Sequence, residues 1–197
     1  MSEKNIVLMS WDDSSKAYEA FSKFRDLDSG GVQVDSSAVI ERTQDGRLRV
    51  TDGQDNEIGL GTLGGGGLGA LIGVLGGPLG MLLGFASGSL IGSTLDVDRA
   101  FDSDSVVSEM SRALPPGRTA IVAEVQEASP EAIDGFAQET GAVLLRRPLE
   151  VVLDEIAAGE EAADAAARAA DEKVREAKKA ERKEKRDERI AAIKAKF

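Results

Sequence analysis

From Ile58 to Leu95 the chain runs 38 residues without a charge, although 30% of its 197 residues are charged. Glycine recurs at every fourth position of that run. One row is Gly61, Gly65, Gly69, Gly73 and Gly77; a second is Gly76, Gly80, Gly84, Gly88 and Gly92. Gly76-Gly77-Pro78 separates the two. Residues four apart share one face of an α-helix, so each row predicts a helix with one face bare of side chains. Leu60, Leu63, Leu68, Leu71, Ile72 and Leu75 place the bulk of the first arm on its other faces, and Met81, Leu82, Leu83, Phe85, Leu90, Ile91 and Leu95 do so in the second. The pattern predicts a glycine-zipper helical hairpin over residues 57–95. A bare face lets another backbone come close, as in small-xxx-small packing. The predicted self-association residues are Gly61, Gly65, Gly69, Gly73, Gly77, Gly80, Gly84, Gly88 and Gly92.

Such a helix is expensive in water. Each interior glycine costs roughly 1 kcal/mol relative to alanine, so the glycines between Ile58 and Leu75 cost on the order of 8 kcal/mol. A bilayer that forbids unpaired backbone groups, or packing onto other copies, is expected to compensate. Each arm is about 18 residues, or roughly 27 Å at 1.5 Å per residue, against a hydrocarbon core of about 30 Å. The bases of the hairpin are acidic, with Asp52, Asp55 and Glu57 before it and Asp96 and Asp98 after it. Only Arg99 supplies a nearby cation, so the flanking Lys/Arg of an ordinary spanning helix are missing.

Gly59-Leu60-Gly61-Thr62-Leu63-Gly64 matches G-x-G-x-x-G, but a dinucleotide loop needs an acid about 20 residues on. Here no acid appears before Asp96 and glycine simply continues at spacing four. Cysteine and histidine are both absent, which removes thiol chemistry, histidine bases and the usual zinc sites. Asp12-Asp13 reads as helix capping. Asp96, Asp98, Asp102 and Asp104 lack the central glycine and terminal glutamate of a calcium loop. No catalytic, cofactor-binding or metal-binding residues are predicted. The net charge of −11 argues against nucleic acid as a partner. It is unevenly spread. Residues 1–167 hold 12 Lys/Arg and 28 Asp/Glu, a balance of −16, and residues 168–197 hold 12 and 7, a balance of +5.

Around the hairpin the chain alternates strand and helix patterns. Asn5–Met9 reads as a strand, and Trp11-Asp12-Asp13-Ser14 starts a helix bearing Ala17, Phe21 and Phe24. Val32–Thr43 and Arg47–Thr51 read as strands joined at Asp45-Gly46, a tight-turn dipeptide. A helix follows Asp96-Val97-Asp98 and stops at Pro115-Pro116-Gly117. Thr119–Val125 is a strand, Ser129-Pro130-Glu131 starts a helix, and Ala142–Arg146 is a last strand. Without the hairpin the order is β-α-β-β-α-β, then α-β. The first six elements match the ferredoxin-like order, with helices expected on one face of an antiparallel sheet. The other face is expected to be open for pairing with a second copy. The fold class read here is α+β: a ferredoxin-like domain at 1–56 and 96–148, the inserted hairpin at 57–95, and a long charged helix at 149–197. The sheet domain is expected to fold without the hairpin.

The early apolar strand and aromatic-bearing helix, the Gln44-Asp45-Gly46-Arg47 turn, the glycine rows, and Leu114-Pro115-Pro116-Gly117 before an apolar strand resemble an uncharacterised bacterial family. That family is commonly labelled predicted membrane proteins and is sometimes linked to stress responses. The resemblance covers roughly Ile6 to Pro148 and implies membrane association without an established activity. The Ala/Glu/Lys/Arg-rich segment from Leu149 lies outside it. In that segment Ala163, Ala167, Ala170, Val174 and Ala177 form a thin stripe that Glu181 and Glu184 break, and Ile190, Ile193 and Phe197 form an apolar stripe at the end. The expected function is that of a non-enzymatic, cytoplasmic, membrane-associated homo-oligomer, with lipid as a partner and no small-molecule substrate. The alternative is a soluble scaffold assembled through the same hairpins.

Overall fold

The computed structural model describes residues 3–27, 31–53, 67–77 and 105–194. In chain order the elements are β1 (Glu3–Trp11), α1 (Ser14–Phe24), β2 (Val32–Arg42), β3 (Leu48–Gly53), α2 (Gly67–Gly76), α3 (Val106–Ala113), β4 (Thr119–Glu127), α4 (Glu131–Thr140), β5 (Val143–Pro148) and α5 (Leu149–Lys194). The class is α+β, with a five-stranded antiparallel sheet.

Local signals set the element ends. The Asp13 carboxylate accepts from the Ser15 amide at 2.9 Å and caps α1. Gly46 takes φ 82° in the β2–β3 turn, where the Gly46 amide donates to the Thr43 carbonyl at 2.9 Å. Ser105 caps α3. Gly141 ends α4 with φ 70°, a left-handed cap that glycine adopts without strain.

The strand order is β3-β2-β4-β1-β5. A ferredoxin-like repeat made from the first six elements would set β3 beside β1. Among the described strands the order instead puts β3 at an edge, paired with β2, while β1 lies between β4 and β5. The neighbours β2 and β3 meet through a tight turn, which makes their pairing local and cheap. β2 then spends its other edge on β4, over Val32–Glu41.

Helices cover both faces of the sheet, so the face expected to be open for a second copy is filled. On one face Val7, Met9, Val39, Ile121 and Val125 pack with Phe21 and Phe24 of α1 and Ile133 and Phe136 of α4. Phe24 and Phe136 meet edge to face at 5.5 Å. On the other face Ile6, Leu8, Ile40, Ala120 and Val122 pack with α2, with Val107, Met110 and Leu114 at α3, and with Val152 and Ile156 of α5. Packing therefore crosses both boundaries expected from the sequence: α2 and the first turns of α5 share one core with the sheet.

This packing weighs against the expectation that the sheet folds alone. Leu68, Leu71, Ile72, Val74 and Leu75 are each at most 5% exposed. At about 1.5–3 kcal/mol per large buried side chain, they contribute roughly 7–15 kcal/mol, comparable to the whole stability of a domain. Replacing residues 58–95 with a short Gly/Ser linker is predicted to abolish cooperative urea unfolding. Truncation after Ala158 keeps Val152 and Ile156 and is predicted to leave it intact; circular dichroism through a urea titration reads both.

Candidate self-association site

α2 is a helix with two unlike sides. Leu68, Leu71, Ile72 and Leu75 follow the i, i+3, i+4, i+7 rhythm and point into the core with Val74. The opposite side holds only small residues. Gly69 and Ala70 are half-buried, Gly73 and Gly76 are exposed, and Gly77 is half-buried just beyond the helix. Of the predicted self-association residues, Gly69, Gly73 and Gly77 thus lie along the outer side of one segment. Gly61, Gly65, Gly80, Gly84, Gly88 and Gly92 lie outside the described residues, as do the G-x-G-x-x-G match and Asp96, Asp98, Asp102 and Asp104.

The glycines here answer to different constraints. A Cβ on Gly67 would collide with the Leu149 side chain at the start of α5. A Cβ on Gly76 would lie 3.2 Å from Leu48 of β3, and one on Gly77 would lie 2.8 Å from the Gly73 carbonyl oxygen. These three are explained by close approach within the chain. Gly73 is not: a Cβ there would meet nothing within 4 Å. It carries the helix penalty of about 1 kcal/mol with no close contact among the described residues in return.

The end of α2 is held by a residue that sequence reasoning missed. Arg42, at the end of β2, is fully buried. Its Nη2 donates to the Leu75 carbonyl at 3.5 Å and to the Ser111 hydroxyl of α3 at 3.4 Å. A cation beside the last carbonyls of a helix complements its dipole. Burial pushes the guanidinium below its ordinary value, because the charged form loses hydration. One signal was available. Arg42 shares strand parity with Ala38 and Ile40, both core residues, so it interrupts an inward-facing row.

The same corner joins the two turns on which the family resemblance rests. The Gly117 amide donates to the Arg42 carbonyl at 2.6 Å, and the Arg42 amide donates to the Arg118 carbonyl at 2.9 Å. Gly117 has φ 82°, and a Cβ on it would collide with the Gln44 side chain. Gln44-Asp45-Gly46-Arg47 and Leu114-Pro115-Pro116-Gly117 thus abut at one end of the sheet, beside the C-terminal end of α2.

Ionisable groups elsewhere form structural pairs. Arg146 bonds Glu127 at 2.6 Å and Asp134 at 2.8 Å. Lys4 bonds Asp35 at 2.6 Å, which raises the lysine's pKa, with the nearby Glu124 adding to the effect. Arg147 pairs with Glu109, and Asp12 with Arg118. Among the described residues no group of three or more potential ligands could hold a metal ion.

A family profile described as protein of unknown function (DUF1269) matches residues 62–156. The match starts in the first glycine row and ends at Ile156, the last large apolar side chain that α5 gives to the core. It therefore includes the first turns of α5, which the resemblance read from the sequence had left out. No curated protein matches the chain, and no solved structure does.

Gly67→Ala is predicted to destabilise the fold, because Leu149 must move. Gly73→Ala is predicted to stabilise it by about 1 kcal/mol, since the methyl enters open space on a helix. Arg42→Ala leaves a cavity and removes the donor at Leu75 and Ser111, and is predicted to cost about 2–5 kcal/mol. Shifts of the urea midpoint at constant slope measure all three.

Proposed function

We propose that this is a non-enzymatic protein that self-associates at a membrane surface, with the outward glycine row of α2 as the strip on which another copy docks. The observation that carries the reading is the two-sidedness of α2: its leucines are buried in the core and its Gly73 side is open. A bare helix face of this kind accepts a second helix at close range. In a symmetric pair the same strip would serve on both copies. We read the supporting frame as ferredoxin-like through β1, α1, β2, β4, α4 and β5. The order β2-β4-β1-β5 places the first of those four strands between the third and fourth, as that fold requires. β3, the hairpin and α3 are then insertions between its second and third strands. We place the protein in the cytoplasm.

The membrane part of the reading rests on the uncharged run. α2 accounts for ten residues of it, far fewer than the 38 between Ile58 and Leu95. No helix among the described residues is long and apolar enough to cross a bilayer. Insertion of the first arm would have to withdraw the five large α2 side chains from the core, at roughly 7–15 kcal/mol. We therefore favour a hairpin packed at the membrane over one that spans it. The same burial favours, as a second reading, a soluble scaffold joined through the same strip.

The test is oligomer mass by light scattering, in buffer and in detergent. Gly73→Leu is predicted to lower the mass of the assembly while the urea midpoint stays the same or rises, because overpacking at a helix contact costs about 1–3 kcal/mol per site. Leu71 is fully buried and cannot serve as a surface control, so Val174→Ala takes that place. A wild-type monomer in both solvents, or an unchanged mass for Gly73→Leu, would reject the strip.

A further inference from the structure

α5 changes character along its length. Among the described residues its last large buried side chain is Ile156, and the helix continues to Lys194. Leu149–Glu172 carries eight acids and one base, whereas Lys173–Lys194 carries ten bases and five acids. The bases are not scattered. Arg175, Lys179, Arg182 and Arg186 succeed one another at four, three and four residues, which keeps them on one helical stripe. Lys179, Arg182, Lys183 and Arg186 line a single open groove on the helix surface, with Glu176 beside them. All are exposed. In the sequence the same rhythm runs on through Arg189 to Ile193 and Phe197, while Glu181, Glu184, Asp187 and Glu188 fall outside it.

Distance makes this stripe usable. At 1.5 Å per residue, Lys173 stands about 25 Å beyond Ile156 and Lys194 about 57 Å beyond it. The Debye length at physiological ionic strength is about 8 Å. Beyond its first turn, next to Asp171 and Glu172, the basic half therefore lies outside the field of the sheet body, and the net charge of the whole chain does not decide what this half attracts.

We propose that the basic face of α5 from Arg175 to Arg186 is a docking surface for an anionic lipid bilayer. Four to eight Lys/Arg on one face of a helix are what phosphate headgroups recognise. The stripe spans about 16 Å of axis, and only a continuous anionic plane meets it along that whole length. The sequence continues the same spacing to Ile193 and Phe197, and a bilayer boundary takes apolar side chains next to charged ones. An acidic protein face offers fixed carboxylates, and the body of a second copy intersperses its acids with Lys16, Lys23, Arg49 and Arg147. This inference shares with the proposed function only the membrane as the place of work, and it does not require the glycine strip.

The experiment is vesicle flotation of the full chain and of the variant R175Q/K179Q/R182Q/K183Q. The vesicles are phosphatidylcholine alone, or phosphatidylcholine with 30% phosphatidylglycerol. Each base near an anionic surface is worth about fivefold in partitioning, so the variant is expected to lose on the order of 100-fold or more. The wild type should float only with the anionic vesicles and be released by 0.5 M salt. Glutamine preserves helix propensity, and circular dichroism should show unchanged helix. Equal flotation of variant and wild type, or equal flotation with both lipids, overturns the assignment while leaving membrane association standing. Failure of the wild type to float with either lipid overturns both. A wild type that fails to float but shifts duplex DNA, or whose oligomer mass drops in the variant, assigns the stripe to nucleic acid or to a second copy and also overturns it. Gly73→Leu should float like the wild type, which separates this surface from the glycine strip.

Discussion

The structure depends on α2 lying leucine-side down against the sheet. Ile6, Leu8, Ile40 and Val122 present an apolar surface on that face, and α3 and the start of α5 cover only part of it. Five large side chains from a ten-residue helix complete the cover. The glycine content that makes an isolated α2 unstable in water does not prevent this, because tertiary burial of one side outweighs propensity for so short a helix. The same choice fixes the orientation of the glycine row. With the bulky side committed to the core, the small side can only face out, apart from the points where Leu149 and Leu48 press against Gly67 and Gly76.

A helix ending in Gly-Gly-Pro needs something to hold its last carbonyls, and the fold supplies Arg42. That residue gains from four neighbours at once. Its backbone pairs with Gly117 and Arg118, and its side chain reaches both Leu75 and Ser111. Desolvation of a guanidinium is costly unless its donors are met, so α2 and α3 must be in place for Arg42 to be tolerated. The dependence is mutual. The end of β2, the turn before β4, and the two helices above them form one cooperative corner, not four separate elements.

Much of this was legible in the sequence where the physics is local. Asp45-Gly46, Pro115-Pro116-Gly117 and Gly141 each mark a chain reversal or stop by a backbone requirement that neighbouring residues cannot change. The division of α2 into a small side and a large side was equally plain. Which side faces inward was not, because a bilayer, a second copy and a sheet face all accept leucine from the same pattern. Strand order was hidden for a related reason. Apolar runs and the Asp45-Gly46 turn mark β2, β3 and β4 as strands but contain no information about which of them lies beside β1; that is decided by crossing connections far apart in sequence. Arg42 was overlooked because a single charge in a strand reads as solvent-facing until its parity with Ala38 and Ile40 is checked.

α5 shows how a helix can be two physical objects in succession. Its first turns are core: Val152 and Ile156 are buried beside α2 and α3, and the Val107 amide donates to the Glu155 carboxylate at 3.1 Å. Beyond them the described side chains are predominantly exposed, although Gly159 is buried, so little tertiary burial supports the helix. It persists because the costly step in helix formation is the first turn, and the docked residues have already paid it. Alanine, glutamate, lysine and arginine then propagate the helix at little cost, with spaced pairs such as Asp164 and Arg168 at 3.9 Å. Gly159 is the weakest residue in that stretch by propensity, and it sits one turn from the last core contact, where the nucleated end is firmest. The family match also stops at Ile156, the last large side chain among the described residues that this helix gives to the core.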